Sequence, residues 1–357
     1  MAPVLDLALL DTKSPETALV LARANGDFAT AAAPLRDAEA LNAFRDLLER
    51  AVRGVPPVPT PEECLAFGQN LFGFLVRDDV KDLWERLPES DVRLQILSTH
   101  PLLTSLPWEM MQEPGILCGP RRERMLARIV SAEGHGAPLP MTLSAVVRVL
   151  FVSASPRDQV AVDFESVKAS LEYAFRQHLP KRFKFTVVDG ASKKSFREAL
   201  AENRFDILHF SGHGDISPEG VGRLVFMNPK TRASDFMDAP EFARLVSGLR
   251  LRMVVLSACS TADGKFEDDF SVLSAVLIRE GVPAVVANQL PVPNNTVAAF
   301  VGGLYRGLLR DGDIDRAMVE GRLQLAGDLK SFEWAIPVLY RHYQVTHLFE
   351  QAEDDAG

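Results

Sequence analysis

The chain has 357 residues, of which 47% are hydrophobic and 24% are charged, and its formal net charge at pH 7 is -9. This is the composition of an ordinary globular protein, and the length predicts two domains or one large α/β unit. The negative charge argues against a general nucleic-acid-binding role, which needs a basic surface.

The chain contains three cysteines, Cys64, Cys118 and Cys259, and their odd number and wide spacing indicate no disulfide framework. A reducing compartment, the cytoplasm, fits this usage. The N-terminal segment lacks a basic region and has Asp6 inside its apolar stretch, which argues against a signal peptide. No apolar run approaches the roughly 18 residues that a membrane helix needs. We therefore expect a soluble cytoplasmic protein with no membrane contact.

The first part of the chain mixes strand and helix patterns. Strands are predicted for the segments ETALVLARA and VRLQILST, and a helix for DAEALNAFRDLLERAV, whose apolar residues recur every three or four positions. A second helix is predicted for TPEECLAFGQNLFGFLV, which opens with Thr60, Pro61 and, three residues after the threonine, Glu63. That order is a capping box with proline at the first helical position. The Pro/Gly-rich segment 131–141 then marks a domain boundary.

From residue 141 onward, strands and helices alternate regularly. The predicted strands are VVRVLFVSA, RFKFTVV, FDILHFS, MVVLSA and PAVVAN, and the predicted helices are DFESVKASLEYAFRQHL, KSFREALAEN, APEFARLVSGL and FSVLSAVLIREG. This alternation predicts a parallel sheet with helices on both faces. The short segment 222–228 predicts a hairpin arm inserted after the strand FDILHFS.

Two of the predicted strands are followed by residues that can carry chemistry. His213 follows FDILHFS by two residues, and Cys259 follows MVVLSA directly, each in a bend of small residues. Reactive residues in open parallel sheets gather beyond the carboxyl ends of the strands, so neighbouring strands would bring these two together. An imidazole can take the proton of a thiol and so generate the nucleophilic thiolate. The order, with histidine 46 residues before cysteine, is also that of caspases.

Other interpretations of the same residues stay open at this point. A lone buried cysteine is usually a packing residue, and a histidine between glycines is often a turn residue. A metal site could use His209, His213 and Cys259, but two histidines four residues apart in a strand are separated by about 13 Å at roughly 3.3 Å per residue. A nucleotide-binding loop could be read into SGHGDIS, but no helix pattern follows it.

The segments ILHFSGHGD, MVVLSACSTADG and AVLIREGVPAVVANQLPVPNN resemble the CHAT family of caspase-like cysteine peptidases, relatives of caspases, metacaspases and separase. The resemblance extends to LPWEMMQEP (106–114) and SFEWAIPVLYRH (331–342), so that it covers nearly the whole chain. The chain departs from the family at Asn294, where an aspartate is expected.

The resemblance implies an α/β, caspase-like fold, with a mostly parallel sheet flanked by helices on both faces. Residues 141–357 would form the catalytic CHAT domain, and residues 1–140 an N-terminal degenerate caspase-like α/β half. His213 would be the general base and Cys259 the nucleophile, and the backbone amides of Gly214 and Cys259 would form the oxyanion hole. The expected activity is a cysteine endopeptidase that makes limited cuts in a protein substrate, with no cofactor and no metal.

The loops at the carboxyl ends of the strands also offer side chains that could bind a substrate. The candidates are Arg157, Asp158, Asp215, Ser257, Asp263 and Gln289. An arginine would suit an acidic residue before the cut, and an aspartate would suit arginine or lysine. The acidic cluster Glu267, Asp268 and Asp269 could recruit a basic substrate or a cation, or it could be a solvated loop before a helix N-terminus. Trp108 in the Pro-Trp-Glu turn is interpreted as a packing anchor between the two halves and not as a binding residue.

We expect a separate activator or sensor protein, because many relatives are fused to such domains and this chain shows none. By analogy with the family, antiviral defence in bacteria or programmed cell death is the expected setting, and the enzyme could stay latent until a partner activates it. The alternative is a catalytically silent scaffold that binds a partner through the cleft. Thiol reactivity distinguishes the two, because a thiolate beside a base alkylates faster than an ordinary cysteine.

Overall fold

The computed structural model describes residues 2–12, 14–89, 91–114, 116–117, 123–131, 140–142, 146–260, 269–290, 294–326 and 332–350. The chain forms two compact units. The first comprises Met1–Ile129 and Arg322–Val338, and the second comprises Val130–Gly321 and Leu339–Gly357. The division of the chain into domains 1–140 and 141–357 stays a prediction. The compact units differ from it in the segment Arg322–Val338, which belongs to the first unit.

The first unit is an α/β structure with a mixed sheet. Its strands are β1 Val4–Asp11, β2 Thr17–Ala24, β3 Asp27–Pro34, β4 Val92–Ser98, β5 Gln112–Glu113, β6 Ile116–Leu117 and β7 Arg124–Val130. Its helices are α1 Leu35–Val52, α2 Pro61–Leu75, α3 Asp78–Glu85 and α4 Pro101–Thr104, with 3₁₀ turns at Trp108–Met110 and Glu333–Ala335. Strands β7, β4 and β1 are parallel neighbours, and β1, β2 and β3 form an antiparallel meander. Strand β1 buries every second residue, which is the strand period.

The predicted capping box at the start of α2 is confirmed. The Thr60 hydroxyl accepts a hydrogen bond from the Glu63 amide at 3.2 Å, and the Glu63 carboxylate accepts one from the Thr60 amide at 2.7 Å. Pro61 occupies the first helical position, where a missing N–H leaves nothing unsatisfied. The start of α2 is therefore encoded locally.

Trp108 and Glu109 are held in the interior of the first unit. The Trp108 indole Nε1 donates to the Leu103 carbonyl at 2.8 Å, and its ring is buried. Glu109 is also fully buried and forms an ion pair with Arg128. Both residues of the Pro-Trp-Glu turn are thus packing residues of this unit.

The second unit alternates strands and helices as predicted. The strands that lie wholly or mostly in it are β8 Met141–Thr142, β9 Val147–Ser153, β10 Phe183–Val188, β11 Ile207–Ile216, β12 Gly222–Met227, β13 Ser234–Asp238, β14 Met253–Ser260, β15 Ala284–Asn288, β16 Pro337–His342 and β17 Phe349–Glu350. Its helices are α5 Phe164–His178, α6 Lys193–Glu202, α7 Ala239–Val246, α8 Asp269–Arg279, α9 Asn294–Asp311 and α10 Ile314–Leu323. The strand order β10-β9-β11-β14-β15 is parallel throughout.

Helices cover both faces of this parallel sheet, as predicted. On one face the ring of His209 in β11 packs on Tyr305 of α9, with a centroid separation of 5.9 Å. On the other face Phe210, the next residue of β11, packs on Phe226, which contacts Phe196 of α6. Alternate residues of β11 therefore enter two different apolar layers. Among the helices of the described ranges, none is long and apolar enough to cross a membrane.

Candidate active site

Strand β11 continues through His213 to Ile216, and β14 continues through Cys259 to Ser260. The prediction that both residues lie in bends beyond their strands is therefore wrong. The predicted hairpin arm, β12 and β13, supplies the reason. Strand β12 pairs with β11 from His213 onward, and so satisfies backbone groups that β9 no longer reaches.

Gly212 marks the point where β11 passes from one neighbour to the other. A Cβ atom at this position would lie 2.9 Å from the carbonyl oxygen of Ala154 and 3.0 Å from the ring of Phe210. Backbone therefore approaches backbone more closely than any side chain would allow. Gly212 serves this close approach, and both glycines of SGHGD lie within the continued strand and not in a bend.

His213 and Cys259 occupy one rung of the parallel ladder between β11 and β14. Their Cα atoms are direct partners, and Gly214 is the partner of Ser260 on the next rung. Neighbouring strands lie about 4.8 Å apart, and partners on one rung share a face of the sheet. The predicted closeness of histidine and cysteine thus holds at the level of the backbone.

The imidazole of His213 has a defined hydrogen bond. Its Nε2 lies 2.7 Å from the carbonyl oxygen of Val160, in the loop between β9 and α5. A carbonyl oxygen only accepts, so Nε2 carries the proton, and in the neutral ring Nδ1 carries the lone pair. His213 is 3% exposed, and its Nδ1 has no hydrogen-bond partner among the described residues. Burial lowers the pKa of His213, although the bond to Val160 opposes the shift, so the ring is neutral at pH 7.

A row of polar residues lies two residues before this rung along the strands, on the same face of the sheet. Ser211 in β11 is the direct partner of Ser153 in β9 and of Ser257 in β14. The Ser153 hydroxyl donates to the Asp189 carboxylate at 2.6 Å, and Asn288 ends β15 on the other side. All three serines and Asn288 are buried, and Ser211 Oγ has no partner within the described ranges. The apolar core of the sheet therefore stops short of the histidine–cysteine rung.

The predicted substrate-binding residues differ in how free their side chains are. Arg157 and Asp158 are exposed, but both oxygens of Asp158 accept hydrogen bonds from Ser234. These bonds hold the pKa of Asp158 below its ordinary value. Asp215 forms an ion pair with Arg223, whose guanidinium lies 4.1 Å from the ring centroid of Phe236.

The remaining candidates lie at the strand ends or outside the described residues. Ser257 belongs to the buried polar row, and Gln289 follows β15 and is half-buried. Asp263, Glu267 and Asp268 lie outside the residues that the structure describes. The binding roles of all these candidates stay predictions.

His209 belongs to the core and not to the histidine–cysteine rung. It is fully buried, and its Nδ1 lies 3.1 Å from the Tyr305 hydroxyl. Burial lowers the pKa of His209 to about 3, so the ring stays neutral. In the part of the chain that the structure describes, no group of three or more His, Cys, Asp or Glu side chains is arranged to hold a metal ion.

Sequence reasoning missed the carbonyl of Val160. The contact uses a backbone oxygen, which every residue type offers, so no sequence motif marks it. The only available signal was position, because the loop follows a strand that neighbours the histidine strand. Such contacts emerge only when the strand order is known.

Comparisons with known proteins bear on the family and the fold of this chain. The sequence profile of the CHAT domain matches residues 65–342, which is more than half of the chain. The chain is similar in structure to separase of Saccharomyces cerevisiae, solved in a complex with securin, with 10% identity and a TM-score of 0.54. The match covers 95% of this chain and 30% of the separase chain, so this chain spans less than a third of separase. This likeness confirms the predicted caspase-like α/β fold.

Two other peptidase structures show a weaker similarity. Gingipain R, an Arg-specific cysteine proteinase, has 11% identity and a TM-score of 0.46, with 87% of this chain and 76% of that chain covered. Caspase-1 from Spodoptera frugiperda has 12% identity and a TM-score of 0.39, with 61% and 99% covered. A comparison with curated protein sequences found no match.

Proposed function

We propose, from the premise that this chain belongs to the CHAT domain family, that it is a cysteine endopeptidase with His213 as general base and Cys259 as nucleophile. The observation that carries the proposal is the shared rung of these two residues on β11 and β14. The hydrogen bond from His213 Nε2 to the Val160 carbonyl supports it, because it leaves Nδ1 as the basic atom.

The reaction would proceed by acyl transfer. Nδ1 of His213 takes the thiol proton, and the thiolate of Cys259 attacks the scissile carbonyl carbon. Backbone N–H groups of Gly214 and Cys259, assigned by the family resemblance, stabilise the oxyanion. The tetrahedral intermediate collapses as the imidazolium returns the proton to the leaving amine. Water, deprotonated by Nδ1, then hydrolyses the thioester and regenerates the thiol. Throughout, the Val160 carbonyl stabilises the positive charge that the ring acquires.

The substrate would be a protein that is cut at few sites. Separase was solved in a complex with a second protein, securin, and by analogy a separate protein would bind this chain. A separate activator, a role in antiviral defence or programmed cell death, and a cytoplasmic location complete the proposal by analogy with the family. This chain covers 30% of the separase chain, so the activity of separase as a whole carries over to it only by analogy.

The deciding experiment compares the wild-type protein with Cys259→Ala and His213→Ala variants. Each is incubated with a lysate of the source cell, and new protein N-termini are mapped by mass spectrometry. We expect cuts with the wild type that both variants lack, and the residue before each cut then tests the predicted binding residues. A Cys64→Ala variant is the control and should cut normally, because burial and the nearby Glu63 raise the pKa of the Cys64 thiol to about 11.

A second measurement separates the enzyme from the silent scaffold. Iodoacetamide should alkylate Cys259 faster than Cys64 at pH 7, since only a thiol beside a base forms much thiolate there. Equal rates at the two cysteines, together with no cuts that depend on Cys259, would contradict the peptidase proposal and favour the scaffold.

A further inference from the structure

The loop between β9 and α5 is tied to the first residue of β13. The backbone amide of Ser234 donates to Asp158 Oδ1 at 2.9 Å and Oδ2 at 3.1 Å, and the Ser234 hydroxyl donates to Oδ1 at 3.0 Å. Gln159 Nε2 donates to the same hydroxyl at 3.0 Å. The Arg157 amide donates to the Arg232 carbonyl at 2.8 Å. We refer to Asp158, Gln159 and Ser234 as the loop latch.

The same loop carries the carbonyl that holds His213. Val160 stands two residues after Asp158, and the residue is 70% exposed. Apolar packing therefore does not fix this residue, and the position of its carbonyl depends on how the loop backbone is held. On the far side, Asp163 caps α5 by accepting from the Ser166 amide at 3.1 Å. The loop is thus fastened on both sides of Val160.

The hairpin connects the latch back to the histidine. Val225 in β12 is the strand partner of His213 and also of Phe236 in β13. Ser234 begins β13, two residues before Phe236. The contacts therefore form a closed ring, which runs from His213 through the hairpin to Ser234, across the latch to the loop, and through Val160 back to the imidazole.

We propose that Asp158 and Ser234 are positioning residues of the peptidase, which hold the Val160 carbonyl so that the His213 ring keeps its proton on Nε2 and presents Nδ1 as the base. The inference rests on the proposed function and adds residues that act through another group. It gives Asp158 a role other than substrate binding, because both of its oxygens already accept hydrogen bonds from Ser234.

The test reads the His213 ring directly, in the full-length protein labelled with ¹⁵N-histidine. In the wild type, the nitrogen shifts of His213 should show a protonated Nε2 and an unprotonated Nδ1 at pH 8. Asp158→Ala should produce a mixture of the two tautomers, and Ser234→Ala, which keeps the two backbone bonds to Asp158, should produce a smaller share of the second tautomer. Asp158→Asn, which keeps an accepting oxygen, should retain most of the wild-type form. Glu198→Ala is the control for lost charge, since Glu198 is an exposed residue of α6 whose partner is Lys194.

A second readout is the rate at which iodoacetamide alkylates Cys259 at pH 7. Loss of the hydrogen bond that stabilises the imidazolium should lower this rate about tenfold in Asp158→Ala, as expected for a hydrogen bond to a charged group, and by less in Ser234→Ala. Asp158→Asn should stay within about threefold of wild type, and Glu198→Ala should not differ from it.

The outcomes separate this inference from the proposed function, because neither readout needs a substrate. Tautomer mixing and slower alkylation in the alanine variants would support the latch even if no Cys259-dependent cut were found. A wild-type ring protonated on Nδ1 would overturn it. So would an unchanged tautomer and an unchanged alkylation rate in the folded Asp158→Ala protein, even if proteolysis through Cys259 were established.

Discussion

The buried ion pair between Glu109 and Arg128 gives a sharp prediction for the stability of the first unit. Arg128 Nε and Nη2 donate to the two oxygens of Glu109 at 3.1 and 2.7 Å, and Arg128 also donates to the carbonyls of Thr104 and Leu106. Both side chains are buried, with 6% of the Arg128 side chain and none of the Glu109 side chain exposed. Glu109→Gln therefore leaves the guanidinium buried without a counter-charge, and breaking such a pair costs about 3 to 5 kcal/mol.

Tryptophan fluorescence during urea unfolding measures this loss of stability in the first unit. All three tryptophans, Trp84, Trp108 and Trp334, belong to the first unit. With a urea slope of about 2 kcal/mol per M, the midpoint should fall by about 1.5 to 2.5 M. Replacing both partners by apolar residues, Glu109→Leu with Arg128→Met, should recover most of the loss, because an apolar pair carries no desolvation penalty.

The pH dependence of the same pair has a definite sign. Burial alone would raise the pKa of Glu109, but the charge and hydrogen bonds of Arg128 outweigh it and hold the pKa below its ordinary value. The stabilisation is therefore complete above the unfolded pKa of about 4.3 and is lost as the pH falls through the lower folded pKa. The difference between wild type and Glu109→Gln should shrink below about pH 4. A difference under 1 kcal/mol at pH 7, or one that grows on acidification, would refute this reasoning.

Three further substitutions test local features by urea or thermal unfolding. Thr60→Ala removes the capping box and should lower the stability of the first unit by about 1 kcal/mol, and no change in the fluorescence midpoint would contradict this. Gly312→Ala should cost about 3 kcal/mol, since a Cβ at φ +75° would lie 1.9 Å from the Phe349 carbonyl oxygen; an unchanged thermal midpoint would argue against that contact. Asp315→Asn removes the carboxylate charge that faces the fully buried Arg341 and should lower the free energy of unfolding by about 3 kcal/mol, measured by circular dichroism. A loss under 1 kcal/mol would mean that the ion pair contributes little to stability.

The parts of the fold that sequence reasoning recovered are those encoded by neighbouring residues. The strands of the second unit are short β-branched runs between amphipathic helices, and their alternation requires a parallel sheet. The start of α2 is specified within four residues by Thr60 and Glu63. The positions of His213 and Cys259 after two predicted strands singled them out, the family resemblance implied their roles, and the pairing of β11 with β14 explains why their backbones are neighbours.

The parts that escaped prediction depend on register and on distant backbone groups. Beyond Ser211, β11 pairs with β12, the first strand of the hairpin. No local sequence pattern predicts that this strand would pair with the backbone of His213. The polar row through Ser211 is visible only when three strands are aligned. Asp158 reads as a free carboxylate in the sequence, because its partner Ser234 lies 76 residues away.

The shared rung of His213 and Cys259 affects how often the two strands separate at these residues. It lies in an unbroken ladder of eight residue pairs between β11 and β14, from Ile207↔Met253 to Gly214↔Ser260. Central ladders of this kind open with the global unfolding of their domain, while loops and edges open far more often. The backbone pairing of His213 and Cys259, the last rung but one of this ladder, should therefore open less often than the loops that follow it. If the proposed function holds, a regulator would therefore act on the loops that admit or block a peptide rather than on the strands that carry the proposed base and nucleophile.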